Sequence, residues 1–124
     1  MKNKWFLTII LGLSFLFRVV GLNSHPNGFT PDEASFGYDA YSLINTGKDQ
    51  WGKSFPLVFK SFGDYKAPVY GYLAIPSIAV FGLNKFAVRL PNALLGTASV
   101  YVLYLLCFEL FKKYQFQKTL DIKN

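Results

Sequence analysis

The chain has one cysteine, one histidine and one methionine in 124 residues, and only 16 % of its residues are charged. A single cysteine, Cys107, excludes a disulfide framework and a thiol metal site within one chain. His25 alone is weak support for a metal ion, and we interpret it as a loop residue. In place of charge there is an apolar excess, 52 % hydrophobic and 19 % aromatic, beyond that of ordinary soluble domains. Because the apolar residues lie in blocks, the composition predicts a membrane protein.

The chain also lacks a basic stripe, although its net charge is +6. Lysines precede the first apolar block and follow the last, whereas residues 23–88 contain five lysines and five acidic residues. Without a stripe we predict no nucleic-acid partner. Positive ends around a neutral middle predict that both termini, residues 1–4 and 112–124, are cytoplasmic.

Two apolar blocks, at residues 5–22 and 90–111, are candidate transmembrane helices. The first would extend about 27 Å as a helix, close to the roughly 30 Å of a bilayer core. A cleaved signal peptide is the alternative, since Lys2 and Lys4 make a basic start, but the small-residue cleavage site is missing. Arg18 interrupts this block near its end. It is either a snorkelling arginine or an intramembrane charge facing a polar partner or an anionic substrate.

Residues 23–89 form a predicted extracytoplasmic loop with juxtamembrane helices at about 31–46 and 67–83. Thr30 and Glu33 have the spacing of a capping box at the start of the first helix, and Gly47 is a natural stop. The capping box gives Glu33 a structural role, but it gives none to the neighbouring Asp32. The second segment is uncharged, yet a third span would put the basic tail outside, which favours an interfacial or buried helix. The predicted fold is therefore an all-α integral membrane protein with two spans.

Several short motifs, in this order and spacing, resemble the N-terminal part of GT-C membrane glycosyltransferases. Within that class the motifs resemble those of the dolichyl-phosphate-mannose–protein mannosyltransferase superfamily and of bacterial aminoarabinose transferases, of the glycosyltransferase family 39/83 type. The resemblance covers residues 5–111. The motifs are Arg18, Pro31-Asp32-Glu33-Ala34, Thr46-Gly47-Lys48-Asp49, Lys66-Ala67-Pro68, Phe81-Gly82 and Val88-Arg89-Leu90-Pro91.

The resemblance implies a polyprenyl-phosphate-sugar donor and an active site on the extracytoplasmic face of a bacterial or archaeal plasma membrane. Asp32 would be the catalytic acid–base residue, or a ligand to a divalent metal, and Glu33 would support it. Lys66 would hold the donor phosphate as a point charge. Arg18 and Arg89 are candidates for orienting the lipid phosphate or for packing the loop.

The chain departs from the family pattern in two respects. Its motif is Lys66-Ala67-Pro68 rather than Lys-Pro-Pro, and Tyr65 replaces the acid that precedes the lysine in some relatives. Family members have around a dozen spans, so we expect an N-terminal portion, inactive alone, whose partners are membrane lipid and the remaining helices of the enzyme or another membrane protein. The alternative is a small non-enzymatic membrane subunit or adaptor that binds a partner through the aromatic segment 48–66.

Overall fold

The computed structural model describes the backbone of residues 4–123 and the side chains of residues 4–114. Residues 1–3 of the predicted N-terminal segment 1–4 lie outside the described residues. The last residue of the predicted tail 112–124 also lies outside them. In chain order the elements are α1 (Lys4–Val19), α2 (Pro31–Thr46), β1 (Phe59–Lys60), β2 (Tyr65–Lys66), α3 (Val69–Phe81) and α4 (Lys85–Lys123). The chain is mostly helical, as the sequence predicts.

The capping box at the start of α2 is present. The Thr30 hydroxyl accepts a hydrogen bond from the Glu33 amide at 3.2 Å, and the Glu33 carboxylate accepts one from the Thr30 amide at 3.1 Å. Gly47 ends the helix in the left-handed region (φ 69°) and donates to the Leu43 carbonyl. This cap fixes Asp32 in the first turn, at the surface of the loop.

The segment predicted to be irregular contains a short antiparallel hairpin, in which Phe59 pairs with Lys66 and Lys60 pairs with Tyr65. A strand of two residues is too short to show the alternation of apolar and polar residues from which strands are predicted. The ring of Phe59 is buried against α3, where Gly71 leaves it the space that a Cβ would fill. The hairpin is therefore held on α3, and it carries Lys66 at its end.

α4 begins at Lys85, whereas the sequence places its span at 90–111 and treats Arg89 to Pro91 as a lead-in. Asn84 caps the helix, since its side-chain oxygen accepts from the Ala87 amide at 2.9 Å. Pro91 lies inside the helix and cannot donate to the Ala87 carbonyl. The Ser77 hydroxyl of α3 donates to that carbonyl instead, at 2.6 Å, so a neighbouring helix compensates for the proline.

The described core lies where α2, α3 and α4 meet and is made of aliphatic residues, Ala40, Ala74, Ile78, Ala87 and Val88. Gly37 of α2 brings that helix close to α4, because a Cβ there would lie 2.7 Å from Val88. α1 packs along the other side of α4.

Among residues 4–114, one helical stretch, Lys85–Tyr114, is long and apolar enough to cross a membrane. α1 has 16 residues, about 24 Å at 1.5 Å per residue. The described residues therefore contain one candidate span, and the first span at residues 5–22 stays a prediction, as do the membrane boundaries.

Candidate active site

The structure pairs Asp32 with Lys66, the acidic and the basic residue that the sequence places in one loop. The Lys66 Nζ lies 2.6 Å from the Asp32 Oδ1. The α2 cap positions the carboxylate, and the hairpin positions the ammonium. The two partners differ in accessibility: the Asp32 side chain is 74 % exposed, whereas that of Lys66 is 13 % exposed.

The Lys66 ammonium is shielded from solvent and has no hydrogen-bond acceptor of suitable geometry among the described residues. The Lys66 Nζ and the Asp32 Oδ1 are close enough to attract each other as charges, but the angles at these two atoms do not suit a hydrogen bond. The Phe36 ring lies on another side, with its centroid 5.2 Å from the Nζ. A lysine has three donors, and leaving them unmet in a buried position is costly. The site therefore suits a further anionic ligand.

A pocket of about 490 Å³ opens beside this pair. Its charged residues are Asp32, Lys66 and Asp64, and apolar side chains from α3 and α4, among them Leu73 and Leu95, also line it. The pocket can therefore bind both an anion and hydrocarbon.

Glu33 and Arg89 form a second, separate ion pair. Arg89 Nε donates to Glu33 Oε1 at 2.8 Å, and its Nη2 donates to Glu33 Oε2 at 3.0 Å. The hydrogen bond from Arg89 lowers the pKa of Glu33 below its usual value, although partial burial opposes that shift. The carboxylate of Glu33 thus stays charged and is committed to Arg89 and to the helix cap.

The other donors of Arg89 are taken by the segment between α1 and α2. Its guanidinium also donates to four backbone carbonyls, those of Leu22, His25, Pro26 and Gly28. A guanidinium has five N–H groups, and here it has six acceptors within reach. Arg89 is buried and joins this segment, α2 and α4 at one point.

Arg18 forms no ion pair with a carboxylate among the described residues. Its guanidinium donates to the carbonyl and the hydroxyl of Ser14 in its own helix, and it rests against Gly96 of α4. It lines a pocket of about 300 Å³ together with Glu33, Arg89 and Asn92. The structure thus pairs Asp32 with Lys66 and Glu33 with Arg89, and it places Arg18 in the same pocket as the second pair without an ion pair to it.

Sequence reasoning missed a buried polar cluster beneath the site. Asp39 is fully buried and accepts from the Gln50 amide at 3.1 Å and from its side-chain amide at 3.2 Å. Gln50 also reaches Ser35, which receives a bond from Ser61. Burial raises the pKa of the Asp39 carboxyl, while the hydrogen bonds from Gln50 oppose the shift. Asp39 lies on the same face of α2 as Asp32. The polar residues of this face suggest that it is exposed to water, but the loop covers Asp39.

A divalent metal at Asp32 stays a prediction from the sequence. Among the described residues, no three His, Cys, Asp or Glu side chains are grouped as metal ligands would be. A cationic ammonium also lies 2.6 Å from the proposed ligand oxygen. These residues by themselves do not fit a metal site, and no chemical step is assigned to one.

The chain is similar to two curated bacterial enzymes. The undecaprenyl phosphate-alpha-4-amino-4-deoxy-L-arabinose arabinosyl transferase 1 of Pseudomonas fluorescens strain Pf-5 is 32 % identical over 112 residues, 90 % of this chain and 19 % of the relative. Transferase 2 of strain Pf0-1 is 32 % identical over 109 residues, 87 % of this chain and 18 % of the relative. The chain spans about a fifth of the length of these relatives. No protein-family model and no solved structure matches it. The similarity supports the predicted relationship to GT-C glycosyltransferases.

Proposed function

We propose that this chain carries the donor-phosphate contact and the acid–base residue of a membrane glycosyltransferase that uses an undecaprenyl-phosphate-linked sugar. The observation that carries the proposal is the buried Lys66 ammonium, which lacks a hydrogen-bond acceptor and faces an exposed Asp32 carboxylate at a mixed pocket. The similarity to two arabinosyl transferases supports the choice of lipid donor and favours an aminoarabinose-type sugar over mannose.

Lys66 binds the phosphate of the donor and holds the leaving group. A phosphate oxygen can accept the hydrogen bonds that Asp32 does not accept, and it brings the negative charge that the buried ammonium needs. As the bond between the anomeric carbon and the phosphate oxygen breaks, its electron pair goes to that oxygen. Lys66 stabilises the charge that develops there.

Asp32 is the base for the acceptor. When phosphate binds Lys66, its negative charge replaces that of the Asp32 carboxylate, which leaves the ammonium and is hydrated because its side chain is 74 % exposed. It then takes the proton from the acceptor as the acceptor's nucleophilic atom bonds to the anomeric carbon. Proton, leaving group and nucleophile are each accounted for without a cofactor.

Glu33 and Arg89 act on this site through position, not through contact with the sugar. Their ion pair fixes the first turn of α2, from which Asp32 projects. Arg18 remains a candidate for contact with lipid headgroups, because it is exposed on α1. The apolar residues exposed along α4, such as Leu103 and Phe111, contact lipid or further transmembrane helices, with the active loop extracytoplasmic.

The test is binding of undecaprenyl phosphate to the purified chain in detergent micelles, followed by native mass spectrometry. Lys66→Gln should weaken binding by about tenfold, which corresponds to one lost charge-assisted contact. Lys60→Gln is the matched control, since Lys60 lies in the same hairpin but contacts the Trp51 ring. Equal affinities of the two variants would refute the phosphate site.

The transfer step is tested in membranes that contain the chain together with the remaining helices of the enzyme. Consumption of undecaprenyl phosphate-α-4-amino-4-deoxy-L-arabinose should depend on the chain and should stop with Asp32→Asn, while lipid binding persists. Consumption at the wild-type rate by Asp32→Asn contradicts the role of Asp32.

The second candidate function is an adaptor that binds a protein through its aromatic loop. Four aromatic side chains of this segment are more than half exposed, which favours a contact surface: Trp51, Phe55, Phe62 and Tyr65. Under this alternative, Phe62→Ser abolishes co-purification of a partner, and Lys66→Gln and Lys60→Gln are equally harmless.

A further inference from the structure

The segment between α2 and the hairpin carries an exposed apolar tip, made of Phe55, Leu57 and Val58. Phe55 is 67 % exposed and Leu57 is 85 % exposed. Pro56, between them, is fully buried, and its carbonyl accepts a hydrogen bond from the Tyr72 hydroxyl of α3 at 3.0 Å. The backbone of the apolar tip is therefore fixed on α3, while its side chains remain exposed.

The backbone of Phe55 is strained. Its φ is 41°, in the left-handed region that residues with a Cβ rarely adopt. A residue that precedes a proline also prefers an extended backbone. The loop maintains this conformation for an exposed aromatic ring, and strained positions of this kind are concentrated where proteins contact ligands.

Three exposed lysines form a basic rim beside the apolar tip: Lys48, Lys53 and Lys60. Lys48 pairs with Ser54 in an antiparallel bridge, so it lies next to the residue that leads into the tip. The acidic residue of segment 48–60, Asp49, is buried, and its carboxylate accepts from the backbone amides of Trp51 and Lys53 at 3.0 and 2.8 Å. The surface of this segment, all of whose residues the structure describes, therefore combines apolar side chains with positive charge and presents no exposed carboxylate.

The apolar tip belongs to one packed unit with α3, and that helix also exposes apolar side chains. Residues 67–84 contain no charged side chain, yet Val69 and Val80 of α3 are more than half exposed. Phe59 packs on α3 at Gly71, directly after the tip. An exposed apolar surface with a charged rim is typical of a contact with a membrane or with another protein.

We propose that the apolar tip inserts into the extracytoplasmic leaflet of the membrane and that the basic rim binds the phosphates of anionic lipids there. The inference takes from the proposed function the position of this loop at the membrane surface, but it requires neither the donor nor the transfer step. Aromatic and lysine side chains together are common at the level of the lipid headgroups.

The charges favour a lipid surface over a protein partner. None of the three rim lysines forms an ion pair among the described residues. Anionic headgroups move laterally and can meet ammonium groups in any arrangement, whereas a protein partner would need carboxylates at matching positions. The tip also protrudes, so it enters a fluid leaflet without a preformed cavity to receive it.

Insertion of the tip would position the Lys66 site relative to the membrane. Phe59 follows the tip in β1 and pairs with Lys66 of β2. The depth of the tip in the leaflet therefore sets the height of the Lys66 ammonium above the bilayer.

Fluorescence quenching in vesicles tests the insertion. The polarity-sensitive dye NBD is attached to the cysteine of Leu57→Cys, in a chain that also carries Cys107→Ser. The control is Asn27→Cys, since Asn27 is exposed in the polar segment between α1 and α2. The vesicles contain phosphatidylcholine with or without phosphatidylglycerol, and a fraction of the lipid carries a spin label in its acyl chain. Because Leu57 is 85 % exposed, its replacement leaves the core unchanged.

We expect the acyl-chain label to quench NBD at position 57 strongly, with emission shifted to the blue, and to quench it little at position 27. Quenching at 57 no stronger than at 27 would overturn the inference. So would a dye at 57 that becomes shielded only after a membrane extract is added, because the tip would then bind a protein.

A second arm tests the basic rim. Phosphatidylglycerol should increase quenching at position 57, and replacing Lys48 and Lys53 by glutamine should shift the equilibrium towards the free tip by about fivefold for each lysine. Equal quenching with and without phosphatidylglycerol would overturn the contact with anionic lipid. These vesicles contain no undecaprenyl phosphate, so the result is independent of the phosphate site at Lys66, and a failure of that site would leave it unchanged.

Discussion

Replacing Arg89 by lysine keeps the charge but should destabilise the protein. Lysine has three N–H donors, whereas Arg89 has contacts to six acceptors, two on Glu33 and four on the carbonyls of the preceding segment. Arg89→Lys therefore loses at least three contacts. Lysine also lacks the planar fork that meets both carboxylate oxygens of Glu33.

The magnitude follows from the kinds of bond lost. One bond to the Glu33 carboxylate contributes about 1.5–3 kcal/mol, and two bonds to carbonyls contribute about 0.5–1.5 kcal/mol each. The carbonyls belong to an exposed segment and can bond to water instead, so we expect a loss of about 3 kcal/mol. For a chain of 124 residues this lowers the Tm by roughly 10 °C.

The assay is thermal unfolding in detergent, followed by far-UV circular dichroism, with hydrogen exchange of the amides of residues 22–30 as a local readout. Arg18→Lys is the control, because Arg18 is exposed and donates only to Ser14. Arg89→Lys should exchange faster in 22–30, and Arg18→Lys should not. If both variants unfold at the same temperature as the wild type, Arg89 does not hold this segment.

Two further predictions concern packing and pH. Because the bond from Arg89 lowers the pKa of Glu33, the stability from that carboxylate is present above its unfolded value of 4.5 and is lost as the pH falls through the lower folded value. The Glu33→Gln variant should have a lower free energy of unfolding at neutral pH than the wild type, and this free energy should change less as the pH falls. Urea unfolding at several pH values measures both, and an acid dependence equal to that of the wild type contradicts the prediction. Gly71→Ala should lower the free energy of unfolding by about 1–3 kcal/mol, because the added methyl group collides with the Phe59 ring. Gly12→Ala is the control and should cause no loss, since there is open space around Gly12. Equal Tm values for the two variants would refute the close contact.

The structural features that could be predicted from the sequence are those formed by residues close together in the chain. The Thr30–Glu33 capping box and the Gly47 stop depend on residues three or four positions apart, and both are present. The pairing of Asp32 with Lys66 was not derivable from spacing, because it depends on a hairpin too short to leave a periodic pattern. The sequence nevertheless suggested both residues as candidates for one site.

The contacts of Arg89 span 56 to 67 residues, and no local pattern reports a contact of that range. Asp39 was missed for a related reason. A helix face with polar residues is usually solvated, and only the packing of Gln50 and Ser61 over α2 buries it. α4 begins at Lys85, before the predicted span at 90–111, because Ser77, in another helix, satisfies the carbonyl that Pro91 leaves.

We propose that Asp32 and a lipid phosphate exchange on the Lys66 ammonium. The most direct measurement is the affinity of undecaprenyl phosphate for Asp32→Asn, with Asp64→Asn as the control because Asp64 lines the same pocket without forming an ion pair with Lys66. Asp32→Asn should bind the lipid about fivefold more tightly than the wild type, since a competing and repelling carboxylate worth about 1 kcal/mol is removed, and Asp64→Asn should change the affinity less. Weaker or unchanged binding by Asp32→Asn contradicts the exchange.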